Sequence, residues 1–189
     1  MTERSKHALR SLLRQRRRVL SPEVQAKAGQ DVAKQVFSLP EWNSIRRIAI
    51  YHSSDGEIST EAIAQYCHQL EIEVYLPVLG SSKSMVFAQW QAGDELQQNR
   101  FGIYEPPTNA PRCPLARFDI VFLPLVGWDK SGGRLGMGGG YYDRALFRVS
   151  GPLRVGLAHE GQEIDTLPRD SWDIPLDAII TNTQIYRCR

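Results

Sequence analysis

The chain has 189 residues, of which 42% are hydrophobic and 23% are charged, as is typical of a globular domain. It contains no run of about 18 apolar residues, which argues against a membrane span, and it begins without the apolar stretch of a secretory signal. Its net charge is +2, and its three cysteines form no Cys-x-x-Cys pair, so neither a disulfide framework nor a zinc site is indicated. We therefore expect a single cytoplasmic domain, 1–189, with free thiols at Cys67, Cys113 and Cys188.

A basic first helix is predicted over residues 3–19, where leucines follow helical spacing. Residues 1–18 contain seven Lys and Arg against one acid, which leaves the rest of the chain with a formal charge of −4. A segment of this kind either forms a solvated helix face or binds a polyanion such as RNA. We favour the solvated face for most of these charges, because no RRM, KH or OB signature accompanies them. The arginines concerned are Arg14, Arg16, Arg17 and Arg18.

A second helix is predicted to begin at Ser21-Pro22-Glu23, which supplies an N-cap, a first-turn proline and an acid near the positive helix end. Leu39-Pro40 ends this helix. Residues 1–38 are therefore expected to form a helical pair that packs on the rest of the domain.

The remaining chain alternates between short apolar strands and helices. This alternation predicts an α/β domain of three layers, with a mainly parallel sheet and helices on both faces. Ligands of such sheets bind at the carboxyl ends of the strands. The proline-rich stretch 91–118 is expected to be irregular and is our candidate for a segment that closes over a ligand. Strands are predicted over 45–51, 72–78, 85–90, 119–126, 153–158 and 178–181, and helices over 60–70 and 142–149.

The segment GGRLGMGGGYYDR, residues 132–144, follows the most apolar predicted strand and leads into a helix. Such a loop directs backbone N–H groups to one point, where an anion is well placed. Familiar nucleotide-binding patterns do not fit, because the chain contains no Gly-Lys dipeptide and Tyr141 or Asp143 stands where G-x-G-x-x-G requires its last glycine. Arg134 and the paired tyrosines make a mere crossover loop the weaker interpretation.

The run LPLVGWDKSGGRLGMGGGYYDR resembles the signature of the 5-formyltetrahydrofolate cyclo-ligases, also called methenyltetrahydrofolate synthetases. Several residue types coincide with this signature at fixed spacing. The resemblance extends along most of the chain, to Lys6-x-x-Leu9-Arg10, to EIST at 57–60, to FGIYEP at 101–106 and to DIPLD at 173–177.

The resemblance implies an ATP- and magnesium-dependent reaction that converts 5-formyltetrahydrofolate to 5,10-methenyltetrahydrofolate, ADP and phosphate. The formyl group on N5 is a poor electrophile, and its oxygen is a poor leaving group. Transfer of the γ-phosphoryl group to this oxygen would allow N10 to attack the carbon and phosphate to depart. The enzyme would mainly position the reactants and neutralise charge.

The resemblance also implies roles for individual residues. Arg134 and Lys6 would act in catalysis, and Asp143 and Asp173 would hold magnesium. ATP would bind Lys6, Arg10, Arg134, Leu135, Gly136, Met137, Gly138, Gly139, Gly140, Tyr141 and Tyr142. The folate would contact His52, Glu57, Phe101, Tyr104, Met137, Gly138, Gly139, Gly140 and Tyr141.

Without the resemblance, several of these residues have structural alternatives. Glu57 could favour the start of helix 60–70, Asp173 could be a turn residue, and His52 could be a hydrogen-bonded residue at a strand end. Asp129 is expected to form an Asx-turn. The chain also departs from the family pattern, because Met137 and Gly139 are neutral where some relatives are basic and Trp172 stands where many have histidine.

Three functions therefore remain open from the residues themselves: a folate cyclo-ligase, an RNA-binding protein that uses the basic arm, and a different ATP-dependent or sugar-phosphate enzyme on the same scaffold. We favour the cyclo-ligase. We expect small-molecule substrates, no nucleic-acid or membrane partner, and a monomer.

Overall fold

A computed structural model describes residues 3–188, with side chains from residue 5 onward. Within this range, no helix is long and apolar enough to cross a membrane. The helices are α1 (Glu3–Arg18), α2 (Pro22–Phe37), α3 (Glu61–Gln69) and α4 (Tyr141–Leu146). The first seven strands are β1 (Arg47–Ala49), β2 (Glu73–Leu79), β3 (Met85–Gln89), β4 (Gln97–Gln98), β5 (Tyr104–Glu105), β6 (Arg112–Cys113) and β7 (Ile120–Pro124). The remaining strands are β8 (Gly127–Trp128), β9 (Arg134–Leu135), β10 (Leu153–Ala158), β11 (Ala178–Thr181) and β12 (Ile185–Arg187).

One large sheet forms the centre of the molecule, with the strand order β12-β11-β10-β7-β1-β2-β3-β6. The five central strands, β11, β10, β7, β1 and β2, run parallel to one another. Strands β12, β3 and β6 pair antiparallel at the two edges. The prediction of a mainly parallel sheet is confirmed.

Helices cover both faces of this sheet. On one face, α2 and α3 bury apolar residues such as Val32, Val36 and Ile63 against strand residues that include Ile48 and Phe122. On the other face, Leu146 of α4 joins a second cluster of buried apolar residues. The predicted start of α2 is also confirmed, since Ser21 Oγ accepts a hydrogen bond from the Val24 amide at 3.4 Å and Pro22 opens the helix.

Helix α1 packs in a different place from α2. Its buried Leu13 packs with Val126, Leu135 of β9 and Leu167, which lie beyond the carboxyl ends of the parallel strands. The two amino-terminal helices therefore contact the domain at different positions, and α1 borders the edge of the sheet where ligands are expected.

The structure differs from the prediction mainly where elements are very short. The stretch 91–118 contains the β4–β5 hairpin and β6, and β12 was not predicted. Two- and three-residue strands are too short to produce a recognisable period of alternation. Helix α4 ends earlier than expected, because Phe147 leaves the helical region and Arg148 has a positive φ of 59°.

The chain leaves the neighbouring strands β1 and β7 in opposite directions. After β1 it crosses to α3 on one face of the sheet, and after β7 it passes through β8, β9 and α4 on the other face. A crevice forms outside the carboxyl ends of parallel strands at such a topological switch point.

Candidate functional site

A cleft of about 1190 Å³ occupies this switch point. Three groups of its lining residues differ in chemistry. The charged wall consists of residues 134–144 together with Lys6, Arg10, Asp170 and Asp173. The aromatic wall consists of His52, Leu79, Met85, Phe101 and Ile103. The floor consists of Arg17, Tyr51, Asp55 and Glu57.

The glycine loop of the charged wall runs from the β8–β9 hairpin to α4. Gly140 precedes α4 and has a left-handed backbone with a φ of 63°, which residues other than glycine rarely adopt. The Arg10 Nε atom of α1 donates a hydrogen bond to the Gly136 carbonyl oxygen at 3.0 Å. This hydrogen bond attaches helix α1 to the loop.

Arg134 is the most buried cation of this loop, with 6% of its side chain exposed. Its guanidinium donates to Asp143 Oδ1 at 2.6 Å, and it lies over the Tyr142 ring at 5.9 Å. Within the described part of the chain, Arg134 Nε and the Tyr142 hydroxyl are buried without a hydrogen-bond partner. Burial also raises the pKa of Tyr142, so this hydroxyl keeps its proton. Polar atoms of this kind are commonly satisfied by a ligand or water.

Lys6 lies on the first turns of α1 and is almost fully buried. Its Nζ atom is 2.5 Å from Asp170 Oδ2 and 3.9 Å from Asp173 Oδ2. Asp170 was not predicted as a site residue. A pairing between residues so far apart in the chain leaves no signal in spacing or periodicity.

The two proposed metal ligands line the same cleft. Asp143 Oδ1 accepts a hydrogen bond from the amide of Ile174, the residue after Asp173, at 3.3 Å. Asp173 Oδ2 accepts one from the Asp170 amide at 2.8 Å. Residues 3–188 contain no group of three or more His, Cys, Asp or Glu side chains arranged to hold a metal ion. Asp143 and Asp173 therefore both line the cleft but do not form a complete protein cage for a metal ion.

The floor of the cleft contains Arg17, and the prediction of a solvated position for this residue is wrong. The side chain of Arg17 is fully buried, and its guanidinium donates to Asp55 Oδ2 at 2.8 Å and to the Leu125 carbonyl oxygen at 3.1 Å. Arg14 and Arg18 bind the same carboxylate. Burial alone would raise the pKa of Asp55, but hydrogen bonds from these arginines outweigh it and lower the pKa to about 2.

The position of Arg17 in the sequence carried a signal that was missed. Lys6, Arg10, Leu13 and Arg17 have the spacing i, i+4, i+7 and i+11, which places all four on one face of α1. This face carries the buried Leu13 as well as the two cations expected in the site. The alternative of an RNA-binding arm loses much of its basis, since three of its four arginines contact Asp55.

Glu57 lies on the floor beside Arg17, and 11% of its side chain is exposed. Burial raises the pKa of Glu57, while the charge of Arg17 and hydrogen bonds from Ser54 oppose this shift. Glu57 accepts from the Ser54 amide at 3.0 Å rather than capping α3, whose N-cap residue is Thr60. Glu57 therefore faces the cleft as the resemblance implies.

The aromatic wall is built from strand ends and from the tip of the β4–β5 hairpin. His52 follows β1, and its ring lies 4.9 Å from the ring of Tyr104. Phe101 stands at the hairpin tip with 54% exposed. Tyr104 itself does not line the cleft. It packs against the ring of His52, which does. The Glu105 carboxylate accepts from the Leu79 amide at 2.8 Å, which ties the hairpin to the end of β2.

Three further residues have contrasting positions. Asp129 is buried and forms the expected Asx-turn, since its Oδ1 accepts from the Ser131 amide at 3.0 Å. Met137 and Trp172, two of the three residues that depart from the family pattern, line the cleft with 53% and 64% exposed. The cleft thus presents large apolar side chains at two positions where relatives have basic or imidazole groups.

Together, these features define an α/β enzyme with a large two-walled cleft at a topological switch point. Among curated proteins, the 5-formyltetrahydrofolate cyclo-ligases of Haemophilus influenzae and Escherichia coli K12 are 39% and 38% identical to the chain. These alignments cover 95% and 93% of this chain and 99% of each relative.

Solved structures agree with the sequence relatives. The 5,10-methenyltetrahydrofolate synthetase of Aquifex aeolicus superimposes with a TM-score of 0.87 at 34% identity, covering 97% of this chain and 93% of that one. The synthetase of Mycoplasma pneumoniae gives a TM-score of 0.77 at 26% identity and covers 94% and 98%. The profile of the 5-formyltetrahydrofolate cyclo-ligase family matches residues 2–182. The chain belongs to this family and is an enzyme of its class.

Proposed function

We propose that this enzyme converts 5-formyltetrahydrofolate to 5,10-methenyltetrahydrofolate in an ATP- and magnesium-dependent reaction. The observation that carries the proposal is the pairing, in one cleft, of a cationic glycine loop with an aromatic wall and a buried carboxylate. The cationic glycine loop suits a polyphosphate. The aromatic wall and the carboxylate suit a flat heterocycle with N–H donors. A volume of about 1190 Å³ exceeds the roughly 300–1,000 Å³ of typical small-molecule sites, which favours two substrates bound together.

The charged wall would bind the ATP phosphates. Lys6, Arg10 and Arg134 supply positive charge from two different segments, and glycines between 136 and 140 allow phosphate oxygens to approach the backbone. The buried, unsatisfied Nε of Arg134 is a donor that a phosphate oxygen would satisfy. When ATP binds, the Lys6 ammonium group would share its hydrogen bonds between Asp170 and the phosphate oxygens.

The residues of the charged wall also fit a magnesium ion. Mg²⁺ usually binds one or two carboxylates together with substrate phosphates and water, and does not need a full protein cage. Asp143 binds the amide of Ile174, the residue that follows Asp173, and both aspartates line the cleft with the loop proposed for the phosphates. The bound ion would supply charge neutralisation at the β- and γ-phosphoryl oxygens.

In the proposed mechanism the formyl oxygen attacks the γ-phosphorus and ADP leaves. N10 then attacks the activated formyl carbon, the phosphate departs with the former formyl oxygen, and N10 loses its proton. Arg134 and Lys6 would stabilise the negative charge on the transferred phosphoryl group. Lys6 and Arg10 from α1 would hold the triphosphate so that its end faces the folate.

The aromatic wall would bind the pterin ring system of the folate. Phe101 at the hairpin tip and His52 beside Tyr104 offer flat surfaces for stacking. Glu57 would accept hydrogen bonds from the ring N–H groups at the floor of the cleft. The loop edge from Met137 to Tyr141 would contact both substrates. We further propose that the enzyme is a cytoplasmic monomer.

The test is direct because the methenyl product absorbs in the near ultraviolet. Purified protein is mixed with 5-formyltetrahydrofolate, ATP and Mg²⁺, and absorbance and ADP release are followed together. We expect equal amounts of both products. ATP hydrolysis without methenyl product, or product formed without ATP, would contradict the proposal. A reaction insensitive to chelation of Mg²⁺ would contradict the metal assignment alone.

A further inference from the structure

The position of Arg17 assigns this residue a specific task in the cleft. We propose that Arg17 is a positioning residue that holds Glu57 charged and oriented toward the folate, so that it controls folate affinity without contacting either substrate. This inference rests on the proposed function, because it concerns the same site. It goes further by naming a residue outside the motifs that indicated the family.

The contacts of Arg17 reach both strands of the switch point. Its Nε atom donates to the Asp55 carbonyl oxygen at 2.7 Å, and its NH2 group donates to Asp55 Oδ2 at 2.8 Å. Its NH1 group donates to the carbonyl oxygen of Leu125, just beyond β7, at 3.1 Å. One guanidinium therefore joins α1, the loop after β1 and the end of β7. The planar fork of arginine makes such a three-way connection, which a lysine ammonium cannot reproduce.

Arg17 is also the cation beside Glu57. Its NH2 group lies 3.7 Å from Glu57 Oε1, while Glu57 Oε2 is occupied by the Ser54 amide. A nearly buried carboxylate without a compensating charge would take up a proton or turn toward water. A protonated Glu57 would be a weaker acceptor for the N–H groups of a heterocycle. The charge of Arg17 opposes the effect of burial on the Glu57 pKa, which agrees with this role.

The turn between Asp55 and Glu57 is fitted closely to α1. Gly56 has a φ of +73°, and a Cβ at this position would lie 3.1 Å from the carbonyl oxygen of Arg17. His159 also contacts the Gly56 carbonyl oxygen, through Nε2 at 3.1 Å. Because Arg17 binds the backbone and the carboxylate of Asp55 in the same turn as Glu57, the direction of Glu57 depends on where Arg17 places Asp55.

The experiment measures binding of each substrate separately. Arg17→Lys keeps the positive charge and removes the fork. If Glu57 is no longer directed at the folate, the folate loses a charge-assisted hydrogen bond to it, which is worth about 1.5–3 kcal/mol, so we expect the Kd for 5-formyltetrahydrofolate to rise roughly tenfold or more. The Kd for a non-hydrolysable ATP analogue should change by less than about twofold, since independent sites do not couple. Arg16→Gln removes an exposed arginine of the same helix that does not contact Asp55 and is the matched control, with both affinities expected to stay near wild type.

A double-mutant cycle separates positioning of Glu57 from a general structural role. In a Glu57→Gln background, Arg17→Lys should no longer weaken folate binding beyond about twofold. An equal loss in both backgrounds, or an equal loss for folate and ATP analogue, would overturn the proposal and make Arg17 a structural brace. If Arg17→Lys does not fold, Asp55→Asn replaces it. The same folate-selective loss is then expected, and unchanged folate affinity in Asp55→Asn would overturn the proposal.

The outcomes distinguish this inference from the proposed function. A wild-type protein that neither binds nor converts 5-formyltetrahydrofolate contradicts the function. A wild-type protein that converts it, together with an Arg17→Lys variant of unchanged folate affinity, contradicts the Arg17 proposal alone.

Discussion

The two walls of the cleft are organised in opposite ways. In the charged wall, the cations are already paired with protein groups: Lys6 with Asp170, Arg10 with the Gly136 carbonyl oxygen, and Arg134 with Asp143. The side chains of the aromatic wall are mostly apolar, and Phe101 at its edge is half exposed. A preorganised charged wall reduces the reorganisation needed when charge moves in the reaction. A more open apolar wall gains its energy from burying the ligand.

This difference predicts how the two walls respond to substitution. Changes in the charged wall should lower turnover and alter the dependence on ATP or Mg²⁺. Changes in the aromatic wall should alter folate affinity with little effect on the chemical step.

The largest effect is expected from Arg134→Ala. This change removes a buried charge aimed at the glycine loop, and loss of one such stabilising donor costs on the order of 10²–10³ in kcat. The single-turnover rate with saturating substrates measures it. Arg46→Ala removes an exposed arginine at the amino end of the sheet and should leave the rate unchanged. A rate for Arg134→Ala within about threefold of wild type would remove Arg134 from catalysis and break the contrast between the walls.

Asp143→Asn should act on the magnesium dependence. The substitution preserves shape, removes a proposed metal ligand and leaves Arg134 without its counter-charge. We expect the Mg²⁺ concentration for half-maximal rate to rise by at least the roughly 10- to 100-fold that follows loss of a group supporting a metal ligand. Titration of activity with Mg²⁺ measures the shift, and Asp31→Asn on the outer surface of α2 is the control. An unchanged Mg²⁺ requirement would contradict the role of Asp143 as a ligand.

Lys6→Ala should have a smaller effect that concerns ATP. Lys6 supplies one of several charges to the phosphates, and a charged hydrogen bond is worth about 1.5–3 kcal/mol, so KM for ATP should rise roughly tenfold or more. The KM for folate should stay near wild type. Lys27→Ala on α2 serves as the exposed control. If the ATP requirement does not change, the first turns of α1 have a purely structural role.

The contrast between the walls also explains what the sequence could predict. Most of the charged wall is one continuous segment, 134–144, so its glycines, arginine and acid were recognisable together. The sheet was recognisable as well, because β2, β7, β10 and β11 are apolar runs of four to seven residues. These features depend on local patterns, which a single sequence displays.

The features that escaped prediction depend on contacts between distant segments. The pairing of Lys6 with Asp170 joins residues separated by 164 positions. Arg17 was interpreted as a solvated charge because charge in a helix usually faces water, whereas Asp55 and the Leu125 carbonyl oxygen hold it in the interior. The composition of α1 could not reveal these partners, although the spacing of Arg17 with Lys6, Arg10 and Leu13 could have indicated the inward face.

The smallest effect is expected from Phe101→Ala in the aromatic wall. Phe101 offers one exposed ring to the cleft, and an aromatic pair contributes about 0.5–1.5 kcal/mol beyond burial of area, so KM for 5-formyltetrahydrofolate should rise roughly 2- to 12-fold. The single-turnover rate at saturating folate should remain close to wild type, because Phe101 is proposed to stack on the folate and not to stabilise the transferred phosphoryl group. Leu70→Ala, an exposed apolar residue after α3, controls for loss of surface area. A fall in the single-turnover rate as large as that of Arg134→Ala would mean that the hairpin tip orders the charged wall, and the two walls would then act as one unit.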